Sequence, residues 1–177
     1  MRVFFALLFD PTVKNHIYKE IFLLKNNTVD GKFSEKNNLH LTVEFIGDVD
    51  QEGLQVLKEI LHSISFPAFE IQSTELGCFY NKSNKAILYL GIHPLTTLSE
   101  LNTLLRSKLI EKGISFQDKA YSPHITLGRK VEFKEQFLLK TFNFPTMMMQ
   151  FTKLSLMESI NINQSLVYRE LDSVNFE

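Results

Sequence analysis

His40 and Thr42 stand in the segment NLHLTVEFIGD, and His124 and Thr126 in SPHITLGRK, so the pattern His, apolar, Thr, apolar occurs twice in a chain of 177 residues. With five His and eleven Thr in all, a Thr two places after a given His arises by chance roughly once in sixteen, and two such coincidences are rare. An imidazole titrates near neutral pH and can take or give a proton, while a neighbouring hydroxyl can donate to an oxyanion. Two of each suit phosphoryl chemistry that needs one general base and one general acid. Hydrolysis of a 2′,3′-cyclic phosphate is such a reaction: water attacks phosphorus in line while the opposite ribose oxygen leaves. A metal site is the competing use of these groups, with His40, His124 and Glu44 as three ligands. His16 and His62 fall off the apolar stripes of their helices and His93 precedes Pro94, so none of the three joins either set.

Both motifs must ride on strands. Leu39, Leu41, Val43 and Phe45 alternate with His40, Thr42 and Glu44, which predicts a core face and a wet face. Ile125 and Leu127 face inward and His124 and Thr126 outward in the same way. Each motif also has the same lead-in. VFFALLF (3–9) is followed by a helical pattern from Pro11 to about Asn26, striped by Val13, Ile17, Ile21 and Leu24. AILYLGI (86–92) is followed by Pro94 and a helical pattern from about Leu95 to Lys112, striped by Leu98, Leu101, Leu105 and Leu109 and closed by Gly113. Pro11 precedes His40 by 29 residues, and Pro94 precedes His124 by 30. The echo continues in FPAFEIQSTEL from Phe66 and FPTMMMQFTKL from Phe144, with Thr74 and Thr152 each eight residues further on. Between the first motif and its echo Leu54, Leu57, Leu61 and Ile64 have helical spacing, the matching segment after the second motif, EFKEQFLL, fits helix or strand, and SLVYREL in the tail reads as a last strand. The expectation is one bilobal domain over 1–177, duplicated about an approximate twofold axis that sets His40 opposite His124 across a central groove.

A hydrophobic content of 44% with 16 Phe is ample for a buried core. A net charge of −1 argues against a protein that tracks a long nucleic-acid backbone and leaves room for a short contact with an RNA end. The lone Cys78 excludes an internal disulfide and suits a reducing compartment. MRVFFALLFD closes at Asp10-Pro11 without a small-residue cleavage site, so it reads as a buried strand rather than a signal peptide. No apolar run reaches the ~18 residues of a membrane helix. A cytoplasmic protein with no membrane association is expected, in which the sequons at Asn26, Asn81 and Asn163 are idle.

The paired HLTV and HITL, the surrounding NLHLTVEFIGDV, ELGCF and AILYLGI, and SPHITLGR ending in Arg129 together resemble the 2H phosphoesterases, specifically the RNA 2′,3′-cyclic phosphodiesterases related to bacterial 2′-5′ RNA ligases. The resemblance covers essentially the whole chain. It implies an α+β fold in which antiparallel sheets line a central groove with helices outside. It also implies hydrolysis of RNA or oligonucleotide 2′,3′-cyclic phosphate ends to a 2′-phosphate by a monomer that needs neither metal nor cofactor. On that resemblance His40 gives a proton to the leaving 3′ oxygen, His124 takes one from water, Thr42 and Thr126 hold phosphate oxygens, and Arg129 is a further substrate contact. Residue spacing does not distinguish donor from acceptor. The alternatives are 2′-5′ ligation through the same site, cyclic-phosphate hydrolysis on a small nucleotide, and a non-catalytic module that binds RNA ends. Glu44 stands where such proteins often carry Lys, which implies a less positive groove.

Overall fold

The computed structural model describes residues 1–80, 85–117, 119–163 and 165–177, so the sequon at Asn81 lies outside the described residues. Strand β1 (Arg2–Leu8) gives way to helix α1 (Pro11–Lys25) where the local chemistry demands it. The Asp10 carboxylate accepts from the Val13 N–H at 2.9 Å, and Pro11 occupies the first helical position, where its missing N–H costs nothing. Strands β2 (Thr28–Phe33) and β3 (His40–Asp48) follow, then helix α2 (Gln51–His62), capped by Asp50 on the Gly53 N–H at 2.8 Å. The chain continues through β4 (Phe69–Tyr80), β5 (Ala86–His93) and helix α3 (Thr96–Glu111). Pro94 does not open that helix as Pro11 opens the first; it stands outside the first residue of α3, with Leu95 at the cap. Gly113 closes α3 at φ 69°, its N–H bonding Ile110 and that of Ile114 bonding Leu109, the left-handed ending that glycine serves best. Strands β6 (Ile125–Phe133), β7 (Met148–Phe151), β8 (Lys153–Ile162) and β9 (Ser165–Asn175) complete the chain, and EFKEQFLL supplies the end of β6 and a loop rather than a helix.

Two antiparallel sheets result, ordered β3-β1-β8-β9 and β2-β6-β5-β4-β7. Apart from the flanking β9 and β2, the trio β3-β1-β8 corresponds to β6-β5-β4, so each His strand borders the strand that opens its own half. The repeat is visible at single residues. Ile71 and Met149, each five residues past the Phe of its Phe-Pro, pair with each other where β4 meets β7. The β4 ladder with β5 shifts register between Ser73 and Leu76, and the second copy breaks at Thr152 between β7 and β8; Thr74 and Thr152 are the echoed threonines. Buried apolar side chains from both sheets and all three helices form one continuous cluster.

The core face of β3 departs from simple alternation. Ala6 pairs with Thr42 but Phe5 pairs with Glu44, which makes Val43 the extra residue of a β-bulge. The bulge moves Glu44 to the helix side, buried, and turns Phe45 the other way, onto Phe4, Ala6 and Met157. The same defect follows the second motif: Tyr89 pairs with Thr126 and Leu88 with Gly128, leaving Leu127 extra.

Candidate active site

Both histidines are fixed by one device. His40 Nδ1 lies 2.7 Å from the carbonyl oxygen of Asn38, and His124 Nδ1 lies 2.7 Å from that of Ser122, in each case two residues upstream. A carbonyl only accepts, so each ring carries its proton on Nδ1 and presents Nε2 for chemistry. Thr42 Oγ1 is 3.0 Å from His40 Nε2, its hydroxyl donating to the neutral ring. Among the described residues no matching bond joins His124 to Thr126, so Nε2 of His124 is the freer nitrogen.

The two motifs brace each other. The carbonyl of Thr42 accepts from the Tyr121 hydroxyl at 3.1 Å, and the carbonyl of Thr126 accepts from Ser34 Oγ at 2.8 Å. Each motif is thus held by a hydroxyl from the segment that leads into the other. Thr42 lines both a pocket of about 270 Å³ with His40, Arg129 and Tyr168, and a pocket of about 160 Å³ with His124 and Tyr121. Aromatic walls set the ring planes. Phe4 lies 5.0 Å and Tyr168, edge-on, 4.9 Å from the His40 ring, while Phe79 and Tyr89 lie 5.3 and 5.4 Å from His124.

These surroundings disfavour the charged imidazole. Burial lowers His40 to about 4, with the charges of Arg129, Lys14 and His124 adding to the effect and the Asn38 carbonyl opposing it. Burial also lowers His124, again with Arg129 adding to it. That one guanidinium acts on both rings puts Arg129 beside the pair, and it is exposed at the groove. His40, Thr42, His124 and Arg129 are therefore gathered in one place, and Thr126 lies half-buried on the strand face of His124.

Glu44 lines the small pocket that also holds His124, where its charge is met by a cation. Its carboxylate is ion-paired with Arg106 of α3 and accepts from Asn102 Nδ2 at 3.0 Å, an amide that also donates to the Val43 carbonyl at 2.8 Å. The third donor of the metal alternative is engaged there, on the far side of the strand from His40, because the bulge at Val43 reversed its direction. Among the described residues no cluster of three His, Cys, Asp or Glu side chains is placed to hold a metal ion. His62, set aside from the sequence, pairs at 3.1 Å with Asp172 on the surface.

Sequence reasoning missed Asn38, whose amide donates to the Leu166 carbonyl at 2.7 Å and accepts from the Tyr168 N–H at 3.2 Å, docking β9 against the first motif. A signal existed: both motifs carry a small polar residue two places before the His. Nothing local marks Tyr168 or Tyr121, which arrive through tertiary packing.

Two antiparallel sheets that bring duplicated His-x-Thr strands to one groove define the class of 2H phosphoesterases. Comparisons with known proteins agree. The pattern of the family described as LigT like Phosphoesterase matches residues 12–89. A Methanocaldococcus jannaschii protein named RNA 2′,3′-cyclic phosphodiesterase is 33% identical over 132 residues, which cover 73% of this chain and 71% of that one. A Thermotoga maritima protein of the same name is 27% identical over the whole of this chain and 96% of its own. The crystal structure of Escherichia coli LigT complexed with 3′-AMP shares the fold, with a TM-score of 0.81 at 24% identity over 99% of this chain and 97% of that one. The chain belongs to the LigT-like phosphoesterase family and is an enzyme.

Proposed function

We propose that the enzyme hydrolyses 2′,3′-cyclic phosphate at the ends of RNA or oligonucleotides to a 2′-phosphate, with the two imidazoles as acid and base and without a metal. The observation that carries the proposal is the pair of rings, each locked through Nδ1–H on a carbonyl two residues upstream so that Nε2 is left for chemistry, and lining pockets that meet at Thr42. Relatives named RNA 2′,3′-cyclic phosphodiesterase support the substrate class. A water molecule attacks phosphorus as His124 Nε2 takes its proton. The bond from phosphorus to the 3′ oxygen breaks, and that oxygen receives the proton of His40 Nε2, leaving the phosphate on the 2′ oxygen. The negative phosphate favours the imidazolium form that His40 needs, offsetting the burial that disfavours it in the free protein. The hydroxyls of Thr42 and Thr126 and the guanidinium of Arg129 hold the equatorial oxygens. Among the described residues no helix is long and apolar enough to cross a membrane, and the proposal places the enzyme in the cytoplasm as a monomer.

An oligonucleotide ending in a 2′,3′-cyclic phosphate, incubated with the enzyme with and without EDTA and followed by phosphorus NMR, tests this. The expected product is the 2′-phosphate at the same rate in both. Loss of activity in EDTA with rescue by added metal would overturn the metal-free mechanism, and a 3′-phosphate would overturn the choice of leaving oxygen.

A further inference from the structure

A cavity of about 350 Å³ adjoins the His40 pocket and shares Arg129, Leu166 and Tyr168 with it as a common wall. Its other lining includes Lys32 of β2, Ser34 and Lys130. Three cations, Lys32, Arg129 and Lys130, meet there against one carboxylate, that of Glu35, in a chain whose net charge is −1. Among the described residues none of the three is closed in an ion pair. The positive charge is also placed by the backbone. Arg129 and Lys130 are consecutive on β6 and on a regular strand would point to opposite faces. Instead Lys130 has φ 55°, a left-handed conformation uncommon for lysine, and the ladder with β5 takes an extra residue between Gly128 and Val131. The result turns both side chains onto one cavity. Lys32, paired with Arg129 across β2 and β6, joins them from the neighbouring strand.

A 2′,3′-cyclic phosphate occupies both free oxygens of the terminal ribose, so the rest of an RNA strand can leave only through the 5′ oxygen. The next group on that path is an internucleotide phosphate. We propose that the cavity lined by Lys32, Arg129 and Lys130 is a second binding site, which takes the first internucleotide phosphate of an RNA strand whose cyclic end lies between His40 and His124. This rests on the function proposed above and adds to it: the enzyme selects strands over mononucleotides, and it does so through charge rather than base identity.

The test compares kcat/KM for three substrates that share one reacting end: a nucleoside 2′,3′-cyclic phosphate, a dinucleotide ending in the same group, and that dinucleotide with an uncharged methylphosphonate linkage. The charged dinucleotide should exceed the mononucleotide by about tenfold or more, the scale of a charge-assisted hydrogen bond, and the methylphosphonate should fall back to the mononucleotide level. The double variant Lys32→Gln/Lys130→Asn, in which Asn tolerates the left-handed backbone, should lose most of that advantage while its mononucleotide rate stays within about threefold. Its salt dependence should be shallower by about 0.7 in log–log slope for each phosphate no longer neutralised. Equal rates for charged and uncharged dinucleotides, or an advantage that survives the double variant, would overturn the second site and leave the hydrolase standing. Turnover of none of the three would overturn the hydrolase and the second site with it.

Discussion

Acid should destabilise this protein through His40, by an amount the structure sets. The ring is held through Nδ1–H on Asn38 and by Phe4 and Tyr168, and burial brings its pKa to about 4. In the unfolded chain a histidine titrates near 6.5. Between those values the unfolded state binds the proton and the folded state does not, so the stability linked to this ring is complete above about pH 6.5 and is lost as pH falls toward 4. The gap of about 2.5 pH units, at 1.36 kcal/mol each, corresponds to about 3 kcal/mol, of which about 2 kcal/mol is lost between pH 7 and 4.5. His40→Asn keeps a side-chain N–H near the position of Nδ1 and removes the titration. Urea unfolding of both proteins at pH 7, 5.5 and 4.5 isolates the effect, because carboxylates and His124 titrate in both and cancel in the difference. The variant should gain about 2 kcal/mol relative to the parent on going from pH 7 to 4.5. A difference that does not change with pH would refute the claim that this ring is kept neutral by the fold.

Other outcomes follow from the same geometry. Because both imidazoles are lowered, kcat/KM should trace a bell whose maximum lies on the acid side of the ordinary histidine pKa of 6.5, with limits that belong to the pair; an optimum above pH 7 would contradict it. Arg106→Ala leaves the buried Glu44 carboxylate without its cation and should cost about 3–5 kcal/mol in urea unfolding, partly restored by adding Glu44→Gln; a loss under about 1 kcal/mol would show that the pair is not needed. Thr42→Val should slow turnover and leave the thermal melt near its parent value, since Val suits a strand; large destabilisation with an unchanged rate per folded molecule would make the hydroxyl structural.

How far the sequence discloses this site depends on the range of the interaction. The motifs, the strand and helix before each, and the echo ending at Thr74 and Thr152 are written in local periodicity, and the structure places them as that periodicity predicts. Glu44 and Phe45 defeat it, because a bulge at Val43 adds one residue and exchanges the faces of everything beyond it, and a period of two carries no mark of such an insertion. β2 is invisible for a different reason: TVDGKF contains Asp and Gly, poor strand formers, and it is a strand only because β6 offers it an edge. Tyr121 and Ser34 precede one motif yet brace the other, and Arg106 reaches Glu44 from 62 residues away, relations that exist only once the two halves have met.

That the two motifs form one acid and base site is tested most directly by turnover of a cyclic-phosphate-ended oligonucleotide by His40→Asn, His124→Asn and the double variant, each shown folded by circular dichroism. Each single variant should lose about a hundredfold or more, and the double variant should be little slower than the worse single one, because an acid and a base that serve one transition state fail together. Near-parental turnover by either folded single variant, or losses that simply multiply in the double, would contradict a paired site.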